Sequence, residues 1–139
     1  MSAQHALEQY GRALGVEDLH FGDRGSCRLQ WQDGTALCIE EFDADILVCL
    51  EIPSPHVTAA HLLKALQLCN LTMNSRAPAV PSEIGAVQVG LSGRGHECCL
   101  VASSRIRQAS PSGADLEHAV ERILQWRRRW NEACDRHGV

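Results

Sequence analysis

Residues 14–52, LGVEDLHFGDRGSCRLQWQDGTALCIEEFDADILVCLEI, constrain the fold more than any other part of the chain. The run reads as the end of a helix followed by three short strands. Turn signals at Asp23–Gly25 and Asp33-Gly34 and an acidic turn at Asp43–Asp45 join them. An Asp-Gly pair between alternating apolar runs is a good short-range hairpin signal. In the first strand Cys27, Leu29 and Trp31 fall on one side and Arg28, Gln30 and Gln32 on the other, the alternation of a sheet with one wet face. The second strand covers about residues 35–42 and the third residues 46–52. The third is apolar on both faces apart from Glu51, which places it inside the sheet.

The flanking segments extend this pattern. Ala3, Leu7, Tyr10 and Leu14 fall at i, i+4, i+7 and i+11, so residues 3–14 predict a helix with one apolar stripe, ended by Gly15. Leu19 and Phe21 carry apolar content into the following loop. Pro53-Ser54-Pro55 stops the third strand, and Ser54 or Thr58 is placed to cap a second helix running to about residue 71. In that helix His61, Lys64, Gln67 and Asn70 recur every three residues, so the polar stripe drifts around the axis. Ala59, Leu62, Leu63, Ala65, Leu66 and Cys69 make a main apolar face, and Ala60, Leu68 and Leu71 a second. A helix apolar over more than one stripe is buried on more than one side. Its own sheet covers one side; the other helices or a second copy of the chain must cover the rest.

After a proline- and polar-rich loop, 72–83, two strands are predicted at 84–91 and 97–106, joined at Ser92-Gly93-Arg94-Gly95. Ser112 and Asp115 have capping-box spacing ahead of a final helix whose apolar face is Leu116, Ala119, Val120, Ile123, Trp126, Trp130 and Ala133. The order is therefore αβββαββα. It describes one α+β domain over residues 1–139, an antiparallel twisted sheet with three helices, and no internal repeat interrupts it.

Composition agrees with a globular chain: of 139 residues 45% are hydrophobic and 22% charged, enough apolar matter for a core and too little charge for disorder. No apolar run is long enough to span a bilayer, and the N-terminal MSAQHALEQYGR lacks both the basic start and the apolar core of a secretory signal. A cytoplasmic location is expected. Seven cysteines (Cys27, Cys38, Cys49, Cys69, Cys98, Cys99 and Cys134) are an odd number lying mostly within apolar segments, so they read as free core thiols rather than a disulfide framework. The net charge is −4, and no Lys or Arg occurs between Leu29 and Leu63, where Asp33, Glu40, Glu41, Asp43, Asp45 and Glu51 are acidic. Such a field repels nucleic acid and suits a basic partner. It equally suits a solvated hairpin whose charges discourage edge-to-edge aggregation.

Catalytic and metal-binding patterns are weak. No Cys-x-x-Cys pair exists, Cys98 and Cys99 on one strand point to opposite faces, and His56 and His61 are awkwardly spaced for one helical face. No nucleophile sits in a recognisable elbow, and the glycines at 90–95 join two strands and open no helix, so they form no phosphate loop. No enzyme activity, cofactor or metal is expected. Arg127-Arg128-Arg129 between Trp126 and Trp130 looks like a basic-aromatic nucleic-acid element. Acids at 115, 117, 121, 132 and 135 bring the helix close to neutral, and the arginines complement the negative end of its dipole.

The element order, with the first helix ending Leu14-Gly15, the Leu19/Phe21 pair, the strands CRLQW, ALCIEEF and ILVCLEI around Asp33-Gly34, the proline break and HLLKALQLCNL, resembles the class I type III secretion chaperones related to the Tir chaperone. The resemblance covers nearly the whole chain; the seven cysteines and the arginine-tryptophan helix depart from the family pattern. It implies a non-catalytic homodimer in which the second helix takes part in the subunit contact, here through Leu62, Leu63, Leu66, Leu68 and Leu71. It also implies that an N-proximal segment of a secreted effector wraps the dimer in extended form and stays export-competent. The candidate groove residues are Leu7, Tyr10, Leu14, Leu19, Phe21, Leu29 and Trp31, each of which also fits plain core. Glu40 and Glu41, with Asp43 and Asp45, are candidates to steer a basic effector segment. Nucleic acid and membrane insertion are not expected. Two other readings stay open: a small cytosolic enzyme with an unrecognised Cys/His site, and a nucleic-acid adaptor using the arginine cluster.

Overall fold

The computed structural model describes residues 3–16, 19–22, 25–42, 45–54, 58–73, 84–93, 98–107 and 112–137, without the side chains of 42, 70–73 and 135–137. Three helices and five strands follow the expected order: α1 (Ala3–Leu14), β1 (Ser26–Gln30), β2 (Ala36–Phe42), β3 (Asp45–Pro53), α2 (Ala59–Met73), β4 (Gln88–Ser92), β5 (Cys99–Ile106) and α3 (Gly113–His137). The strands form one antiparallel sheet in the order β1-β2-β3-β5-β4. The doubly apolar β3 is the central strand, as its composition requires. Of the turns foreseen, Asp33-Gly34 is described: Gly34 has φ 89°, its N–H donates to the Trp31 carbonyl at 3.1 Å, and Asp33 Oδ1 accepts from the Thr35 N–H at 2.9 Å. The turns at 23–24, 43–44 and 94–95 and most of the loop 72–83 lie outside the described residues.

Strand register sorts the side chains onto two faces. Leu37 opposite Leu50, Ile39 opposite Val48, Leu50 opposite Ala102 and Ile46 opposite Ile106 make the face that the helices cover, and all of these are buried. The long helix α3 lies on that face against β3 and β5. All seven residues of its expected apolar stripe, Leu116 through Ala133, are buried. Its start is a capping box: Ser112 N–H donates to Asp115 Oδ2 at 2.9 Å, Asp115 N–H donates to Ser112 Oγ at 3.2 Å, and the Ser112 carbonyl accepts from Leu116 N–H.

The other helices pack along α3. Near its start, Gln9 Oε1 of α1 accepts from Gly113 N–H at 3.0 Å. Farther along, α2 runs antiparallel to α3. Trp126 Nε1–H donates to the Ala65 carbonyl at 3.1 Å, and the His61 ring meets Trp130 edge-on at 6.3 Å. Trp126 and Trp130 stack with ring centroids 5.9 Å apart. Thr58, not Ser54, caps α2: Thr58 Oγ1 accepts from His61 N–H and Thr58 N–H donates to His61 Nδ1, while Ser54 Oγ donates to the Ile52 carbonyl.

Two expectations need correction. The buried stripe of α1 is Ala6, Leu7, Tyr10 and Gly11, and Leu14 is half exposed. The stripe ends early because Val16 N–H turns back to the Gly11 carbonyl at 2.8 Å, swinging the chain away at Gly15, where φ is 76°. The expected strand 84–91 is broken: Ile84 makes an isolated bridge to Ile106 and the continuous ladder begins at Gln88. The Gly85 carbonyl explains the break, since Ser104 Oγ donates to it at 2.9 Å and Arg122 Nη1 at 3.2 Å, so side chains occupy it instead of a neighbouring strand.

Candidate functional site

The chain leaves large apolar side chains uncovered at six described positions: Leu14, Val16, Trp31, Leu63, Leu66 and Leu91. Their placement separates what a partner can reach from what the core has taken. Leu63 and Leu66 lie one turn apart on α2, 59% and 45% exposed, beside exposed Ala59 and Ala60. The opposite side of α2 places Ala65, Leu68 and Cys69 in the core. Its two-sided apolar character therefore resolves into one face spent on the subunit and one left over. Of the five leucines expected at a subunit contact, Leu63 and Leu66 face outward and Leu62 is half-buried against the core. Leu68 is corrected: at 5% exposure it belongs to its own subunit. The side chain of Leu71 lies outside the description.

The groove candidates divide in the same way. Leu7, Tyr10 and Leu19 are buried in the core, and Phe21 and Leu29 are half-buried against it. Burial raises the Tyr10 phenol above its ordinary range, and Glu117 and Glu121 add to the shift. The Leu19 carbonyl and Phe21 N–H both bond the Gln4 side chain, which holds this loop to α1 and directs Leu19 inward. Gly11 makes that approach fit: a Cβ there would meet the Leu19 side chain and the Val16 carbonyl at about 3 Å. Leu14 and Trp31 remain exposed. Trp31 sits at the β1–β2 turn, tied to the far half of α3 because Arg127 Nη1 donates to Thr35 Oγ1 at 3.2 Å. Leu14 ends α1, which meets α3 at Gly113. Fourteen residues of helix separate those two attachments, roughly 21 Å.

The second face of the sheet carries no helix among the described residues. It presents Arg28 from β1, Cys38 and Glu40 from β2, Leu47, Cys49 and Glu51 from β3, and Val101 and Ser103 from β5. Arg28 Nη1 donates to Glu51 Oε2 at 2.8 Å and Arg105 Nε to Asp45 Oδ2 at 2.6 Å. The bond to Glu51 raises the Arg28 guanidinium further above its ordinary range. Glu40 lies on this open face, whereas Glu41, opposite Ile46, is exposed at the margin of the helix-covered face; Asp43 lies outside the described residues. Val16 escaped the sequence reading because it belongs to no periodic stripe, whereas Leu91 alternates with Val87 and Val89 and only the structure shows it uncovered. The shared face of Cys38, Cys49 and Glu51 had a signal in the alternation of β2 and β3, but only the strand register puts those residues side by side.

Among the described residues no arrangement suited to covalent chemistry emerges. All seven cysteines are free. Burial raises the thiols of Cys27, Cys38 and Cys69, and Cys49 is pushed up to about 12 by burial and then by Glu40, Cys38 and Glu51. A raised thiol is a poor nucleophile at neutral pH. Among the described residues no cluster of three or more His, Cys, Asp or Glu is arranged to hold a metal ion. No described helix is long and apolar enough to cross a membrane. The three arginines at 127–129 do not form one patch: Arg127 bonds Asn131 and Thr35 and approaches Asp33 at 3.8 Å, while Arg128 pairs with Glu121 at 3.0 Å.

Comparison with known proteins gives these surfaces a context. A chain of the HopA1-SchA chaperone-effector complex superposes with a TM-score of 0.64 at 23% identity, over 92% of this chain and 91% of that one. The Yersinia pestis type III secretion chaperone SycH, solved with a stable fragment of YscM2, matches at 0.63 and 14% identity, over 89% and 95%. YbjN from E. coli, not described as a chaperone, shares the fold at 0.55 and 16% identity over 94% and 89% of the two chains, so shape alone does not decide the role. No curated protein sequence matches the chain. The model of the Tir chaperone protein (CesT) family matches residues 5–131, and with the αβββαββα order and the one-sided helical layer already in place, the chain belongs to that family.

Proposed function

We propose that the protein is a type III secretion chaperone that acts without catalysis, as a homodimer binding an N-proximal segment of a secreted effector in extended form. The observation that carries this reading is the match to the family over residues 5–131. Apolar surface left uncovered at Leu14, Val16 and Trp31 supports it. Leu63 and Leu66 of α2 supply the subunit contact, with Leu62 at its border. Leu14, Trp31 and the half-buried Phe21 and Leu29 supply contacts for the client; Leu7, Tyr10 and Leu19 shape the ground beneath them. Glu40 and Glu41 bias the surface toward basic segments, an attraction that salt weakens.

The mechanism is physical. Each apolar client side chain gains roughly 25 cal/mol per Å2 removed from water, opposed by the entropy of ordering the segment, so useful affinity needs a long footprint. Edge strands β1 and β4 offer backbone hydrogen bonds with little sequence demand. The bound segment is masked from aggregation yet keeps no fold of its own to resist unfolding for export. The chain acts in the cytoplasm, where such clients are made. Co-expression with secreted proteins encoded beside its gene, followed by limited proteolysis, tests this directly. A short protected fragment near a client's N-terminus, co-purifying with two copies of the chain, is the expected result. Failure of every such client to co-purify overturns it.

A further inference from the structure

The open sheet face is not flat. Between β2, β3, β5 and β4 it holds a concavity of about 400 Å3 whose lining includes Cys38, Glu40, Cys49, Glu51, Gly90 and Ser103. The side chains at its base are short, so they leave the hollow unfilled; at Gly90 even an added Cβ would meet nothing within 4 Å. Two carboxylates line it, and the Arg28 guanidinium reaches its edge, where Nη1 donates to Cys38 Sγ at 3.2 Å. Glu51 is partnered on both oxygens: Arg28 Nη1, approaching from β1, donates to Oε2 at 2.8 Å, and the Cys38 thiol donates to Oε1 at 3.7 Å. Glu40 forms no ion pair among the described residues; the residues directly opposite it are Ser26 and Leu47. The hollow thus keeps one uncompensated carboxylate, Glu40, with Val101 as an apolar wall.

We propose that this cleft is a specificity pocket for an arginine side chain of the bound client segment, its methylenes lying on Cys49 and Val101 and its guanidinium reaching Glu40 and Ser103. This rests on the chaperone reading and adds to it a chemical requirement on the client. Charge complementarity selects a cation. Several converging acceptors favour the multi-donor guanidinium over a compact, strongly hydrated ammonium. The negative field that would attract the cation also helps to hold the Cys49 thiol protonated, with Glu40 and Glu51 both contributing.

The test needs no client. Amide resonances of the isotopically labelled full chain are followed while acetyl-arginine-amide is added, with acetyl-citrulline-amide as the neutral isostere. Saturable shifts at Cys49, Gly90, Val101 and Ser103 with the arginine probe alone are expected. Glu40→Gln should weaken that binding by about fivefold, as loss of one partly exposed charge contact would. Glu132→Gln, on the exposed side of α3, should leave it unchanged. Equal shifts from citrulline, shifts scattered over other acidic sites, or an unaltered response in Glu40→Gln overturn the pocket. Because the probe is a single residue, such a failure leaves the chaperone reading intact, and failure of client capture leaves the pocket intact.

Discussion

Replacing Leu63 and Leu66 together by serine should split the proposed homodimer while leaving the subunit folded. Full burial of a leucine side chain is worth about 1.5–3 kcal/mol. In the single subunit Leu63 and Leu66 are still 59% and 45% exposed, so roughly half of that remains to be gained on association, about 1 kcal/mol each. A two-fold contact counts both residues twice, which gives about 4 kcal/mol and raises the dimer dissociation constant by about a thousandfold. Neither side chain belongs to the core, so the isolated subunit should change in stability by no more than about 0.5 kcal/mol. Sedimentation velocity over about two decades of micromolar concentration reads the first quantity, and urea denaturation at the lowest concentration reads the second. Leu68→Ala is the contrast: buried in its own subunit, it should cost about 2–5 kcal/mol of folding stability. A wild-type chain that stays monomeric throughout, or a double variant that associates as tightly as wild type, refutes the assignment of this face.

Alkaline pH should destabilise the fold. Cys27, Cys38, Cys49, Cys69 and Tyr10 all have folded-state values above their ordinary ones, so the native chain keeps protons that the unfolded chain releases. Their contribution is fully present below the ordinary thiol value of 9.0 and is lost as pH rises toward about 12 for Cys49. The urea midpoint should therefore fall between about pH 7.5 and pH 10.5, and an unchanged midpoint would contradict the shifts. At pH 8 native Cys49 should hold about a thousandfold less thiolate than an ordinary cysteine and be among the last thiols alkylated, as peptide mass mapping would show. Trp126→Phe removes the bond to the Ala65 carbonyl and part of the stack on Trp130, and should cost about 1–3 kcal/mol in chemical denaturation. Gly34→Ala should cost more than about 1 kcal/mol by the same assay, because φ is 89° and the new Cβ would sit 3.0 Å from Pro53 Cγ.

The local signals were legible because they act through neighbours in the chain. Asp33-Gly34 makes its turn, Ser112 and Asp115 cap each other, and the stripe from Leu116 to Ala133 is buried throughout, since each depends on spacings of a few residues. The order αβββαββα and the central place of β3 followed from the same periodicities. What periodicity cannot reveal is which partner consumes an apolar side chain. Leu68 and Leu63 are chemically identical members of one helix, and only the antiparallel packing of α2 on Trp126 and Trp130 assigns the first to the core and the second to solvent. Leu7, Tyr10 and Leu19 looked like groove residues until α1 closed on α3 and Gly11 admitted Leu19. The cleft beside Glu40 likewise depends on the pairing of four strands distant in sequence, because its short floor and its unbalanced charge exist only once β5 and β4 lie next to β3. Secondary structure and capping are written in contacts between near neighbours, whereas exposure is a property of the whole packed chain, so the tertiary structure alone decided which surfaces remain for a partner.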